Sequence, residues 1–468
     1  MVSHRLAGAP LDFAALRSEL AVPGEFSAAV IDEATRSAAS PNWPDDDRTD
    51  LPLVTIDPVG SMDLDQAVHL AAAKGGGYLV SYAIADVASF VRPGGDLDQE
   101  THGRGETLYF PDARVPLHPT VLSEGAASLL PDEVRPAVLW QIALDDAGNV
   151  IDVNLRRARV RSRDRLDYVG VQRMLDDGSA PETIRLLETV GKLRLDLARK
   201  RHAIDLDLPE QQVVGDDHGG WSLRFRRQLP AERYNAQMSV LTGMCAAQLM
   251  LRNRVGILRT VPPPSEKAID TLRRVARVMG IDWPRAAEPG DVLDAVDRSN
   301  PKQAAFVDAA AVLLRGSSYS AFDGEPPAQQ LHGGLGAPYA HVTAPLRRLV
   351  DRYGTEVCLA LHHQHPVPDW VHDYLPALPD LMKQATHRAG EVDRAVVDTV
   401  EAWLLSPRVG EQFDVVVIEV EGDAATVSLD DPAVLARCRG PRMPLGERIS
   451  ARLVQADVTT RTVRFERV

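Results

Sequence analysis

The chain has 468 residues, 44% of them hydrophobic and 25% charged, and a formal net charge of −14. That length suits about two to three domains with ample core, and the composition is that of a soluble globular protein. The negative balance argues against a protein that coats nucleic acid indiscriminately, but not against a nucleic-acid enzyme whose cations are confined to a channel.

Residues 1–45 read as a short helical arm, Leu11 to Leu20 and then Ala28 to Ala39, ending in the acidic segment Pro41 to Asp50. Leu51 to Ile56 reads as a strand with Asp57 at its end, and Pro58 and Gly60 then turn the chain. Asp63 and Asp65 follow two residues apart, so an extended segment points both to one side. At ~6 Å and an effective dielectric of ~20, two such carboxylates repel by roughly 3 kcal/mol. One of them is then protonated, or a cation sits between them. Aspartates placed this way suit a hard, oxygen-preferring ion such as Mg²⁺ with phosphate completing its shell. The plainer alternative is a solvated acidic loop.

Further strands are expected at Gly77 to Ala85 and Val138 to Leu144. Tyr109-Phe110-Pro111 offers an aromatic pair that either stacks on a base or packs in a core. Arg156 to Arg165 contains six arginines. In an extended segment Arg157, Arg159, Arg161, Arg163 and Arg165 share one face. That face either tracks a phosphate backbone or is a solvated edge. Helical periodicity runs from Asp164 to about Arg201, a core helix from Arg233 to Arg254, and an amphipathic helix from Lys267 to Met279. Gly324 to Pro338 is a loop, and Pro345 is expected to open a helix whose first turn holds Arg347 and Arg348. Cations there oppose the helix dipole, which a bound phosphate would explain as well as a surface salt bridge. His362, His363, His365 and His372 lack ligand spacing and read as loop histidines. Trp370 to Leu405 is mostly helical. After Ser406-Pro407, short strands at Phe413 to Val420, Ala425 to Leu429, Arg448 to Leu453 and Thr462 to Val468 suggest a small closed barrel.

Cys245, Cys358 and Cys438 are far apart and odd in number, so neither a disulfide framework nor a zinc knuckle is expected. No signal peptide and no apolar window of ~18 residues is apparent, so the expectation is a cytoplasmic protein without a membrane span. No Gly-x-Ser-x-Gly elbow or Gly-x-x-x-x-Gly-Lys-Ser/Thr loop occurs.

Taken together, these segments resemble the RNB catalytic domain of the ribonuclease II/ribonuclease R family. Thr55 to Ala67 resembles its metal-binding motif and Tyr82 to Val87 the following strand. Leu108 to Pro111, Val115 to Pro119 and Leu122-Ser123 resemble its aromatic loop and the run after it, and Ile204 to Pro209 and Tyr339 to Arg348 complete the order. The resemblance implies an α+β fold with a helical arm (1–45), an RNB domain built on a mixed sheet flanked by helices around an RNA channel (46–405), and a C-terminal OB-type barrel (406–468). It implies a short form without N-terminal cold-shock domains. The implied activity is Mg²⁺-dependent hydrolytic 3′-to-5′ digestion of single-stranded RNA to 5′-mononucleotides. One or two ions are implied, with Mn²⁺ as a substitute, and no obligate protein partner.

Carried over by position, Asp57, Asp63 and Asp65 match metal and catalytic aspartates, with Asp65 and Arg347 as the catalytic pair. Tyr109 matches the tyrosine stacked on the 3′-terminal base, and Arg347 the arginine on the scissile phosphate. Arg348, Arg161 and Arg163 join the expected RNA contacts. Gln66 stands where the family has a fourth metal-binding aspartate; its amide can still ligate, with one negative charge fewer. Ala344 replaces a serine, and Thr355-Glu356 a His-Arg pair. Phe413 and Phe465 alone give the C-terminal barrel little to stack on. Gln66 also motivates a second reading, a catalytically weakened RNA-binding protein with the same fold. A phosphodiesterase for another substrate is the third.

Overall fold

The computed structural model describes residues 11–216, 220–298 and 300–468. Five strands close into a barrel: β1 (Leu53–Asp57), β2 (Gln66–Ala72), β3 (Tyr78–Ala85), β4 (Val134–Leu144) and β5 (Val150–Asp167). Neighbours run antiparallel except at the closure, where β5 returns alongside β1 in parallel and sets Asp167 opposite Asp57. The expected mixed sheet is thus a closed one.

Alternate residues of these strands enter two different cores. Val68, Leu70, Val80, Tyr82, Ile84 and Trp140 pack with helices α5 (Glu182–Lys200), α6 (Pro230–Asn253) and α10 (Leu349–His362). Ala67, Ala83, Ala85, Ala137 and Leu139 pack with Val30 and Ala34 of the N-terminal arm and with Phe90 to Leu97. With both faces covered, the strands read as apolar runs rather than as a clean alternation.

Helix α6 is the central strut. Pro230 opens it, and the Glu232 carboxylate accepts from the Leu229 N–H at 3.1 Å. At Gly243 a side chain would collide with the Tyr339 ring, so glycine here lets the Tyr339–Arg348 segment lie against the helix. The Ala340 N–H donates to the Gly243 carbonyl at 3.1 Å. Residues 266–298 and 300–314 form a helical lobe around Leu272, Ala276, Phe306 and Leu313.

A long helix (Leu378–Leu405) leads to the second barrel, with strands Gln412–Glu421, Ala424–Leu429, Val434–Arg439, Arg448–Asp457 and Thr462–Arg467. The third of these escapes the sequence reading. It buries Val434, Ala436 and Cys438 but exposes Leu435, so its periodicity is muted. Phe413 and Phe465 meet edge to face at 5.7 Å inside this barrel, which removes both from any stacking surface.

Three local expectations change. Strand β5 continues to Asp167, so helix begins at Tyr168 and not at Asp164. The Gly324–Pro338 loop contains a two-residue ladder, Leu331–His332 against Ala337–Pro338. Pro345 lies in a turn, and the helix after it starts only at Leu349, with Arg348 as its extended N-cap. Neither Arg347 nor Arg348 therefore stands in a first helical turn, and the dipole argument for a phosphate lapses. Among the described residues no helix is long and apolar enough to cross a membrane.

Candidate active site

Asp57 ends β1, and the loop that follows is pinned before it re-enters the barrel. The Ser128 hydroxyl accepts from the Leu64 N–H at 3.0 Å and donates to the Met62 carbonyl at 2.6 Å, while the Ala85 N–H donates to the Asp65 carbonyl at 2.9 Å. Facing it is the turn Ala344 to Arg348. It is held by Thr107 N–H on the Arg347 carbonyl (3.0 Å), Leu349 N–H on the Gly105 carbonyl (3.0 Å) and Ala344 N–H on the Asp351 carboxylate (2.7 Å). Two loops nearly three hundred residues apart in sequence are thus each pinned to the surrounding fold by hydrogen bonds of their main chain.

Between them Asp65 and Arg347 meet. The Arg347 Nε lies 3.3 Å from Asp65 Oδ2, and the Leu346 N–H donates to Asp65 Oδ1 at 2.7 Å. Asp65 is buried, whereas nearly half of the Arg347 side chain is open to solvent. Burial pushes the Asp65 carboxyl up to about 8 despite Arg347, with Asp351 and Asp63 adding to the rise. Asp57 is likewise pushed up to about 7, mainly by burial, and its Oδ2 is buried without a hydrogen-bond partner. Asp63 Oδ2 accepts from the Tyr109 hydroxyl at 3.2 Å, and Asp63 Oδ1 sits 3.0 Å from Arg114 Nη1. Tyr109 itself is 44% exposed, so its ring has a free face beside the carboxylates.

The donor chemistry fits a hard divalent ion: oxygen ligands only, two carboxyls raised by burial, and one orphaned oxygen. The arrangement is not a closed cage. Among the described residues no three Asp, Glu, His or Cys side chains are grouped tightly enough to hold an ion. Asp63 is drawn instead toward Tyr109 and Arg114.

Gln66 faces elsewhere than expected. Its Nε2 donates to the Thr343 carbonyl at 2.5 Å and its Oε1 accepts from the Tyr82 hydroxyl at 3.2 Å, which also pairs with Ser239 at 2.7 Å. The amide acts as a brace between β2 and the arginine loop. Arg348 is engaged within the chain: its Nε and Nη2 bind Asp351 at 2.8 and 3.0 Å and order the turn.

The arginine stripe alternates as anticipated, with Ala158, Val160 and Ser162 buried behind it. Yet acidic groups already cover most of it. Residues 46–48 run along β5, exchanging backbone hydrogen bonds with Arg159, and Asp47 pairs with the Arg159 guanidinium at 3.3 Å. Arg157 binds Asp86 at 2.7 Å and also Glu356, Arg161 lies near Asp47, and Arg163 donates to the Thr49 carbonyl at 2.7 Å. Arg161 and Arg163 thus each have a structural engagement within the fold. Arg165, at the end of the same strand, does join the site: it lies close enough to influence Asp57. Arg114 is the group that the sequence reading left out, whereas Arg165 is expected on the arginine face but not among the site residues. Only the i, i+2 step from Arg163 pointed to Arg165.

A family model described as the RNB domain matches residues 46–358. The chain belongs to the RNB family. A second model, the RNase II-type exonuclease C-terminal S1 domain, matches residues 411–468. Ribonuclease R of Escherichia coli is 29% identical over 418 residues, covering 82% of this chain and 50% of that protein. The exosome complex exonuclease RRP44 homolog A of Arabidopsis thaliana is 25% identical over 367 residues, 75% of this chain and 39% of its own. The chain thus spans about half the length, or less, of these curated relatives. The RNB fold is seen directly in the apo form of Mycoplasma genitalium RNase R, which superposes with a TM-score of 0.86 at 22% identity, covering 97% of this chain and 77% of that one. Yeast Ssd1, described as a pseudonuclease, shares the fold with a TM-score of 0.68 at 18% identity, covering 94% and 54%.

Proposed function

We propose that the protein is a metal-dependent exoribonuclease that shortens single-stranded RNA from its 3′ end by hydrolysis and releases 5′-mononucleotides. The observation that carries this reading is the half-open Arg347 guanidinium, 3.3 Å from buried Asp65, with Tyr109 one hydrogen bond away on Asp63. The relative in Escherichia coli is named Ribonuclease R, and Mycoplasma genitalium RNase R has been solved with ribose-methylated single-stranded RNA. The buried, free cysteines agree with the reducing cytoplasm we assign it.

Each residue then has a task. Asp57, Asp63 and Asp65 would hold the Mg²⁺. A divalent ion there supplies polarisation of the phosphodiester and a lowered pKa for the attacking water. Arg347 faces the scissile phosphate and offsets charge that builds on its oxygens, a contribution of order 3 kcal/mol where water is excluded. Asp65 fixes the Arg347 head and, through Leu346 N–H, the turn beneath it. The exposed face of Tyr109 stacks on the terminal base. The 2′-hydroxyl is the handle that separates RNA from DNA.

Gln66 supports a second reading, an RNA-binding protein of reduced activity, because its amide braces the loop where the family offers a carboxylate. Incubation with 5′-labelled single-stranded RNA and Mg²⁺ separates the two. A ladder of shortening products supports the nuclease, whereas a gel shift without loss of length supports binding only. A 2′-deoxy residue at the 3′ end tests RNA selectivity, and undiminished digestion would argue against it.

A further inference from the structure

At the far end of the first barrel, where β5 begins, lies a cavity of about 530 Å³. It is separate from the aspartates: Asn235 of α6 donates to the Ile56 carbonyl beside Asp57, and the cavity-lining residues of that helix, Met244 to Arg252, lie about 13 to 25 Å further along it. Its walls are the second half of α6, the end of α5 and the β4–β5 turn, and three arginines, Arg194, Arg201 and Arg252, line it. Their burial is graded, with Arg194 at 3% exposure, Arg201 half-buried and Arg252 open to solvent.

Arg194 is the anomaly. Its Nη1 donates to the Gly148 carbonyl at 3.0 Å and its Nη2 lies 3.6 Å from the Met244 sulfur, but its buried Nε has no partner. Among the described residues neither Arg194 nor Arg201 has a carboxylate acting on it; the cation whose field reaches Arg194 is Arg201, and the Arg201 Nε donates to the Leu335 carbonyl at 3.3 Å. Burial accordingly pulls the Arg194 guanidinium down to about 10. A desolvated cation without a counter-ion is costly, and an anion seated beside it removes that cost. Asp152 also borders the cavity, on its exposed rim beside His362. The flanking Leu197 and Leu249 give an apolar wall suited to a ring.

We propose that this cavity binds a small phosphorylated anion of mononucleotide size, with Arg194 at its floor and Arg201 and Arg252 at its mouth. Planar guanidinium forks are the side chains best matched to phosphate oxygens. The assignment stands apart from the nuclease reading, because none of these residues touches the aspartate site.

Titration calorimetry on the full chain, with inorganic phosphate and separately with a 5′-mononucleotide, tests it. Binding should survive Asp65→Asn, fall about tenfold or more in the Arg201→Ala/Arg252→Ala double variant, and vanish in Arg194→Met. The double variant alters exposed or half-buried groups, so it stays informative if Arg194→Met fails to fold. Binding of both ligands marks phosphate as the recognised group, and binding of the nucleotide alone adds the apolar wall. Silence from both ligands, or binding indifferent to the double variant, overturns the proposal. So does a double variant that weakens a short RNA oligomer while phosphate and nucleotide remain silent, since the cavity would then belong to an RNA path.

Discussion

The Gln66 side chain donates its amide N–H to the main-chain carbonyl of Thr343 at 2.5 Å, joining the first residue of β2 to the loop that carries Arg347. Replacing Gln66 with leucine removes the donor and leaves the carbonyl of buried Thr343 unsatisfied. The expected loss is about 1–3 kcal/mol of folding stability, read from urea unfolding. A loosened Arg347 should lower RNA turnover at the same time. Unchanged stability would show that the brace is dispensable.

Asp65→Asn keeps an oxygen for the Leu346 N–H and removes the charge beside Arg347. Cleavage of labelled RNA should be abolished while binding stays within a few-fold. Near-normal turnover would take Asp65 out of the chemistry.

Tyr109 offers two separable functions, a ring and a hydroxyl that binds Asp63. Tyr109→Ala should lengthen the shortest product on a sequencing gel, because the terminal base loses its platform. Tyr109→Phe should leave that length unchanged. If both behave alike, stacking is not the ring's role.

Arg114 pairs with Asp63 at 3.0 Å and would compete with an ion held there. Thermal denaturation with and without Mg²⁺ should show stabilisation by the ion that chelation reverses. Arg114→Ala should tighten the apparent affinity about tenfold by freeing the carboxylate, and Asp57→Asn should erase the effect. A melting temperature blind to Mg²⁺ in all three proteins would mean the aspartates hold no ion.

Glu401 is buried where the long helix meets the second barrel, its Oε1 accepting from Gln211 Nε2 at 2.6 Å and from the Leu435 N–H at 2.8 Å. Burial pushes its carboxyl up to about 7, above the unfolded value near 4.5. The folded state therefore holds the proton more tightly. The stability this confers is complete below about pH 4.5 and is lost as pH rises through about 7. Glu401→Gln keeps the acceptor and cannot ionise. Between pH 5 and 8 it should lose less stability than the parent, by on the order of 3 kcal/mol. Parallel curves for the two proteins would place the ionised carboxylate comfortably in the fold.

How much was legible followed from the range of each interaction. The aspartate loop and its strand stood out because short spacing and flanking apolar residues are local signals. So did α6 and the amphipathic helix that opens the lobe. The partner of Gln66 did not, since Thr343 lies 277 residues away and no local pattern links the two. The arginine face of β5 was correctly placed on one side, yet its neutralisation by Asp47, Asp86 and Glu356 depends on three remote segments. The same contact gives a use to Glu356, which had appeared only as a departure from the family pattern. Pro345 misled because proline suits both a first helical turn and a tight turn, and its local sequence does not separate them.

The covering of the β5 arginines by residues 46–48 has a kinetic side. With those cations matched internally and an overall charge of −14, the molecule meets a polyanion without a broad attracting field. On the proposed reading, encounter with RNA would be opposed by mutual repulsion until the strand end reached Arg347. Raising ionic strength screens that repulsion, so the approach of RNA should quicken in moderate salt, the reverse of what a basic-grooved binder does.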